Sequence, residues 1–227
     1  MGYNRDTVIS KCEEQMKKPD LFYTYGLVAN STGKTTDTNE WYTEIIAQYV
    51  LDNPDKYTIT KITRQKPYNT GTHNGSIKKK TNRKEEMIAK SIFEKKKLNI
   101  IGNILDYQIP LKNVRADTAG KIDLLAYDGH TLQILELKKQ DSPESLLWCV
   151  LEGYTYLNTV DGDKLKKDFE IPEETEIVAR PFVFKGGTQY REWNEERPCL
   201  KRLMKKLNSR PLFIEEDPKG CYKVTEK

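Results

Sequence analysis

The chain has 227 residues, of which 37% are hydrophobic and 32% are charged, and its formal net charge is +4. This length is enough for one large or two small domains, and this composition is typical of a soluble, highly charged globular protein. A membrane span is not expected because no apolar run approaches about 18 residues, and the polar N-terminus with its three acidic residues does not have the character of a signal peptide.

Residues 1–80 are predicted to form a helical extension that ends in a loop. The sequence favours helices over residues 5–18 and 39–51, the second with a ragged amphipathic face. A run rich in β-branched residues predicts a short strand over 57–63. The polar stretch 65–80 is predicted to be a loop.

Residues 81–190 are predicted to form the core, with elements in the order helix, three strands, helix, strand. The first helix, over residues 83–97, has Asn82 as its N-cap and Glu85 three residues later, which is a capping pair. The strands are predicted over residues 104–111, Lys121–Tyr127, 131–139 and Glu176–Phe184. This order predicts an α/β fold with a central mixed sheet flanked by helices.

The second core helix is predicted to begin at Ser142-Pro143-Glu144, which supplies a cap, a proline at the first helical position and an acid in the first turn. Its buried face is predicted to consist of Leu147, Val150, Leu151, Tyr154 and Leu157. Residues 191–227 are predicted to be a small appendage, with a basic helix near residues 198–207 and two short strands.

A basic segment precedes and includes the first core helix. Between residues 61 and 97 there are twelve Lys or Arg against three Glu. Such a stretch is either a solvated linker or a phosphate-seeking loop. The residues expected to contact nucleic acid are Lys78, Lys79, Lys80, Arg83 and Lys84.

The two central core strands are predicted to form a hairpin with a turn at Asp128-Gly129. A four-residue loop would put Asp123 opposite Glu136. A two-residue loop would put Asp123 opposite Ile134 and make Glu136 its diagonal neighbour. Both registers leave the two carboxylates on the same face, because side chains alternate along a strand.

Lys138 shares that face with Glu136, and the intervening Leu137 points to the other face. Buried charges cost free energy unless something compensates them, and a divalent metal ion would do so. The alternative is a surface hairpin with a solvated ion pair. The many apolar neighbours in both strands argue instead for burial on both faces.

Asp123 followed by Glu136-Leu137-Lys138 resembles the PD-(D/E)xK nuclease superfamily, which has the restriction-endonuclease-like fold. The resemblance covers roughly residues 81–184. The proline of the family motif is replaced by Ile122. The resemblance implies that Asp123 and Glu136 bind Mg²⁺, with Mn²⁺ as a substitute, and that Lys138 assists the attacking water.

Further site residues are also implied by the resemblance. Many family members carry a Glu on the helix before the first core strand. Glu86 is the better match, and Glu85, already a capping residue, is its rival. Some branches carry Gln and Tyr four residues apart on the helix after the lysine. Glu152 and Tyr156 occupy that spacing here, so they are accessory candidates.

The expected function is therefore metal-dependent hydrolysis of phosphodiester bonds in nucleic acid, with DNA as the expected substrate. Gln140, two residues beyond Lys138, is a candidate for substrate contact or a strand cap. The alternatives are a catalytically silent nucleic-acid-binding or assembly module with the same fold, and a purely structural protein. The widely spaced cysteines favour reduced thiols and a cytoplasmic location. The sequence does not decide whether the protein forms a homodimer, and a membrane partner is not expected.

Overall fold

The computed structural model describes residues 2–69, 71, 84–113 and 120–226. Within these ranges the chain forms an α/β fold in which a seven-stranded mixed sheet is flanked by helices. The predicted α/β class with a central mixed sheet is thereby confirmed. Within the same ranges no helix is long and apolar enough to cross a membrane.

The strands lie in the sheet in the order in which they occur in the chain. They are β1 (Lys97–Leu98), β2 (Gly102–Pro110), β3 (Lys121–Tyr127), β4 (Thr131–Lys138), β5 (Glu176–Phe184), β6 (Leu212–Glu216) and β7 (Tyr222–Glu226). Strands β1 to β4 form an antiparallel meander, β4 to β6 are parallel, and β6 and β7 form an antiparallel hairpin. Parallel neighbours need long crossover connections, and helices form both of them here.

The sheet curls until its two edge strands approach each other, so it is nearly barrel-shaped. Asn99, in the turn after β1, links the edges through its side-chain amide. Its Nδ2 donates to the Val224 carbonyl at 2.5 Å, and its Oδ1 accepts from the Val224 N–H at 3.0 Å. Twist accumulating over seven strands brings the edges this close.

Helix α4 (Lys84–Glu94) covers one face of the sheet, and helix α5 (Leu146–Thr159) covers the other. The buried cluster under α4 includes Ala89, Ile92, Phe93, Leu124, Leu135 and Leu137. The cluster under α5 includes Ile122, Leu132, Ile134, Leu147, Val150 and Leu151. Leu135 and Leu137 therefore lie on the face opposite to that of Ile134, as the alternation of side chains predicts.

The N-terminal part packs on α5. Its helical segments are α1 (Arg5–Gln15), the 3₁₀ turn Pro19–Thr24, α2 (Gly26–Ala29), α3 (Tyr42–Asp52) and the short turn Pro54–Lys56. Their buried residues, including Phe22 and Ile46, belong to the same hydrophobic cluster as those of α5. The N-terminal helices and the sheet thus share one continuous core.

The remaining helices are α6 (Gly162–Asp168), α7 (Thr188–Asn194) and α8 (Pro198–Lys206). The first turn of α8 is capped by Glu44 of α3, whose carboxylate accepts from the N–H groups of Cys199 and Leu200 at 2.9 Å each. Free N–H groups at a helix start need such acceptors. The C-terminal part is therefore fixed to the N-terminal part.

Several predicted boundaries are wrong. Residues 57–63 form no strand, and the Ile62 N–H donates to the carbonyl of Thr159 of α5 instead of to a neighbouring strand. The helix predicted over 83–97 ends at Glu94, because Lys96 has φ +63° and the chain then enters β1. A left-handed residue is a common helix stop.

Helix α5 begins one turn later than predicted. Its N-cap is Ser145, whose side chain accepts from the Trp148 N–H at 2.9 Å. Ser142-Pro143-Glu144 precede the helix and hold no capping position. This matters for the site, because Glu144 lies in the loop before the helix and its carboxylate reaches Lys138 of β4.

Candidate metal and catalytic site

The hairpin of β3 and β4 has the register of the longer loop. Tyr127 pairs with Leu132 and Leu124 pairs with Leu135, so Asp123 and Glu136 are the first residues beyond the last pair. The alternative two-residue loop is wrong. The Asp128 carboxylate accepts from the N–H groups at 130 and 131 at 2.8 Å each, which fixes the wider turn.

Asp123 lies where β3 and β4 stop pairing. Its Oδ2 accepts from the Leu137 N–H at 3.0 Å, and its Oδ1 accepts from the Gln108 side-chain amide at 2.7 Å. Gln108, on β2, has φ +50°, a conformation that non-glycine residues seldom adopt. Burial raises the pKa of Asp123 to about 7, against the depressing effect of the Lys138 charge.

Glu136 and Lys138 are buried on the α5 face of β4, at 3% and 5% exposure. The Lys138 Nζ lies 3.0 Å from Glu136 Oε1 and 2.8 Å from Glu152 Oε2. It also lies 3.0 Å from Glu144 Oε2, on the loop before α5. Three carboxylates therefore surround one ammonium group.

The electrostatics of this cluster follow from burial and from the surplus of carboxylates. Burial, then the charges of Asp123 and Glu152, raise the pKa of Glu136 well above its usual range. Burial disfavours the charged form of Lys138, but Glu136 and Glu152 outweigh it and raise the Lys138 pKa. The ammonium stays protonated, and the site retains excess negative charge once its carboxylates ionise.

Both accessory candidates join this cluster. Glu152 Oε2 accepts from the Trp148 indole N–H at 2.8 Å as well as from Lys138, and Glu152 Oε1 accepts from the Tyr156 hydroxyl at 2.8 Å. Burial opposes ionisation of Glu152, but the Lys138 charge and the hydrogen bonds from Lys138 and Tyr156 lower its pKa. Glu152 is therefore no ordinary helix-surface acid.

Of the two acids at the start of α4, Glu85 is directed to the site. Its Oε1 accepts from the Lys139 N–H at 3.2 Å, and its charge contributes to the raised pKa of Asp123. The charge of Glu86 acts on Tyr107, whose pKa is raised by burial and then by Glu86. The geometry thus brings Glu85, the rival candidate, toward Asp123, while Glu86 acts on Tyr107.

The candidate nucleic-acid contacts are only partly described. Lys84 lies 3.5 Å from the exposed Asp141, and Gln140 is exposed just beyond the end of β4. Gln140 lines a groove with Lys185 and Glu216. Lys78, Lys79, Lys80 and Arg83 lie outside the described residues.

The donor set suits a hard divalent cation such as Mg²⁺, which prefers oxygen ligands. Glu136 Oε2 is buried without a hydrogen-bond partner, and the negative charge of Asp123 acts on the same carboxylate. Within the described residues, no three His, Cys, Asp or Glu side chains are arranged to hold a metal ion as they stand. Backbone carbonyls and water would have to complete the coordination.

Sequence reasoning missed Glu144, Trp148 and Gln108 as parts of the site. Trp148 stands four residues before Glu152 on α5, which places both on one helix face. Glu144 could not be recognised because Ser142-Pro143-Glu144 has the sequence of a helix start. Gln108 could not be recognised because no local sequence pattern indicates its positive φ.

Comparison of the chain with protein-family models, with curated proteins and with solved structures found no match. Any function must therefore be inferred from the chain's own geometry and chemistry. That geometry defines a buried acid–lysine cluster at the point where two central strands of an α/β sheet separate.

Proposed function

We propose that this protein is a metal-dependent nuclease that hydrolyses phosphodiester bonds, with DNA as its substrate. The proposal includes a restriction-endonuclease-like core, supported by the order α4, β2, β3, β4, α5, β5. It is also supported by helices on both faces of the central strands. A fold alone does not determine an activity, so the site carries the argument.

The observation that carries the proposal is the position of Asp123, Glu136 and Lys138. They meet where β3 and β4 separate, buried enough that two carboxylates have raised pKa values and one oxygen has no partner. Such perturbation, together with a specific charge partner, is typical of functional sites. A simple ion pair between Glu136 and Lys138 would not require the Asp123 carboxylate as well.

Asp123 and Glu136 would hold the Mg²⁺ ion, and Glu85, in place of Glu86, is the acid that the geometry supports as an accessory. When bound, the ion would polarise a phosphoryl oxygen and lower the pKa of a coordinated water. Lys138, held protonated by its carboxylate neighbours, would orient the attacking water and offset developing negative charge.

The nucleic-acid partner is supported by charge. The segment from residue 61 to residue 97, which includes α4, carries nine more basic than acidic side chains (twelve Lys or Arg minus three Glu). Phosphate contacts by such residues supply affinity and position rather than sequence reading.

A catalytically silent module is the second candidate, and one observation favours it. The Lys138 ammonium already has three carboxylate oxygens within 3.0 Å. An ammonium group has three donors, so a water molecule would have to replace one carboxylate. In a silent module the Lys138 ammonium would only offset the charge of the carboxylates around it.

The test is incubation of purified protein with labelled linear, circular, single-stranded and branched DNA and with RNA, in Mg²⁺, Mn²⁺ or EDTA. Asp123→Asn, Glu136→Gln and Lys138→Ala should each abolish cleavage. Lys139→Ala is the matched control, because its ammonium pairs with the exposed Asp141 and leaves the cluster intact. Intact binding without cleavage by the unmodified protein would favour the silent module.

A further inference from the structure

Lys138 has three carboxylate neighbours, and they are held with different firmness. Lys138 donates hydrogen bonds to Glu136 at 3.0 Å and to Glu152 at 2.8 Å, whereas its contact with Glu144 is an ion pair at 3.0 Å. The side chains of Glu136 and Glu152 are 4% and 12% exposed, and that of Glu144 is 32% exposed. Glu144 is therefore the neighbour of Lys138 that faces the solvent.

Glu144 can leave Lys138 at the least cost. Glu152 also accepts from Trp148 and Tyr156, whereas within the described part of the chain Lys138 is the one partner of the Glu144 carboxylate. Burial opposes the charged form of Lys138, and of the carboxylates that raise its pKa, Glu144 contributes least. An ion pair with one partner at the surface is weak, because that partner can be hydrated instead. Moving either buried carboxylate would leave an uncompensated charge in the interior.

The backbone around Glu144 is fixed, so only its side chain has to move. The side-chain amide of Gln189, which is fully buried, donates to the Glu144 carbonyl at 2.5 Å. The next residue, Ser145, donates through its hydroxyl to the Val28 carbonyl at 2.5 Å. Rotation of the Glu144 side chain between staggered conformations would therefore take its carboxylate away from Lys138 without opening the loop.

We propose that Glu144 is the carboxylate that leaves Lys138 when nucleic acid binds, because the incoming phosphate and Glu144 compete for the same ammonium group. The inference rests on the proposed function for the identity of this ligand. Carboxylate and phosphate oxygens both form charge-assisted hydrogen bonds with an ammonium group. The donor that Glu144 vacates is then available to the phosphate oxygen and to the water that attacks the phosphate. Glu144 keeps Lys138 paired while no substrate is bound.

The first arm of the test measures binding without cleavage. All proteins carry Asp123→Asn, which removes a ligand of the proposed metal site, and they are studied in EDTA. In this background Glu144→Gln should tighten the binding of a labelled DNA duplex about two- to tenfold, because the apparent Kd falls as the fraction of binding-competent molecules rises. Glu144→Ala should give a gain of the same direction.

The gain in affinity must depend on Lys138. When Lys138→Ala is added, most of the gain from Glu144→Gln should disappear, because the ammonium group for which the two anions compete is gone. Asp141→Asn is the matched control. It removes a carboxylate from the same loop, but Asp141 is exposed and pairs with Lys139 and Lys84 instead of Lys138. Its effect on DNA affinity should be the same with and without Lys138.

The second arm measures cleavage in Mg²⁺ with Asp123 restored. Glu144→Gln should raise kcat/KM about two- to tenfold, because the substrate no longer has to displace a competing carboxylate. A carboxylate that took part in the chemical step, or that held Lys138 in place for it, would lower kcat/KM when changed. The direction of the effect therefore distinguishes competition from a positioning role.

The outcomes separate the two proposals. A gain in affinity that survives Lys138→Ala unchanged, or no gain in either background, overturns the competition by Glu144, whatever the activity. A lower kcat/KM of Glu144→Gln overturns it as well. If the unmodified protein cleaves no nucleic acid but the gain depends on Lys138 as expected, the competition stands and the nuclease proposal fails.

Discussion

Replacing Asp123 by Asn should stabilise the metal-free protein at neutral and alkaline pH. Burial raises the Asp123 pKa from 3.8 to about 7 in the folded state. The folded state therefore binds the proton more tightly than the unfolded state between about pH 4 and pH 7. Stability falls as pH rises through that window, because the unfolded chain then carries fewer protons than the folded one.

The size of the effect can be bounded. At 1.36 kcal/mol per pKa unit, a rise from 3.8 to about 7 gives a ceiling of about 4 kcal/mol. Asp123 keeps partial solvent contact and shares the repulsion with Glu136, so about 1–3 kcal/mol is expected. For a chain of 227 residues, this corresponds to about 2–12 °C in Tm.

The amide introduced by Asp123→Asn can keep both native hydrogen bonds. Its oxygen would accept from the Leu137 N–H, and its nitrogen would donate to Gln108 after rotation of the Gln108 side-chain amide. Thermal unfolding in EDTA from pH 5 to pH 8.5 should show a Tm advantage of Asp123→Asn that grows with pH. Asp141→Asn is the exposed control, and its Tm difference should not grow.

Saturating Mn²⁺ should reverse the order. Metal that binds only the folded state stabilises by about 2.7 kcal/mol at 100 times its Kd. That gain should appear in the unmodified protein and be lost in Asp123→Asn and in Glu136→Gln. A constant Tm difference across pH, or equal Mn²⁺ stabilisation of all three proteins, would refute the reasoning.

Three further predictions follow from the same site and its surroundings. Lys138→Ala should abolish cleavage, measured by single-turnover kinetics, while DNA affinity, measured by equilibrium binding, stays within a few fold. Cleavage at the wild-type rate by Lys138→Ala would contradict the catalytic role of Lys138. Replacing Lys78, Lys79 and Lys80 together by Gln should flatten the slope of log binding constant against log salt concentration for DNA by about two to three. An unchanged slope would indicate that these lysines belong to a solvated linker and do not contact phosphates. Gly120→Ala should lower Tm more than Gly129→Ala, because both have positive φ but only at Gly120 would a Cβ meet another residue, Tyr156 at 2.4 Å; equal losses would contradict that contact.

The central hairpin could be predicted because its information is local. Alternation placed Glu136 and Lys138 on one face, and the strand bounds Lys121–Tyr127 and Glu176–Phe184 are as predicted. The register of the hairpin depends only on the length of its loop. The wider loop is fixed by the Asp128 carboxylate, which accepts hydrogen bonds from two N–H groups of the turn. Apolar runs with period two between turn residues determine such elements with little help from tertiary contacts.

The partners of Lys138 could not be predicted in the same way. Glu144 looked like a first-turn acid until Ser145 proved to be the cap, and the choice between Glu85 and Glu86 depends on how α4 is rotated over β2. The segment 57–63 has strand-like residues but no strand beside it. Each of these outcomes is decided by packing between distant parts of the chain, which overrides local preference.

The continuous core gives the N-terminal part a role beyond that of an appended extension. A buried charge cluster keeps its geometry only if the groups around it are themselves fixed. On the α5 side, those groups are Trp148 and Tyr156, and Tyr23 packs against both. The residues that resemble a nuclease motif lie on two strands, but the ring that packs on these two neighbours of Glu152 belongs to the turn that begins at residue 19. The packing around the cluster therefore extends beyond the motif-bearing half of the chain.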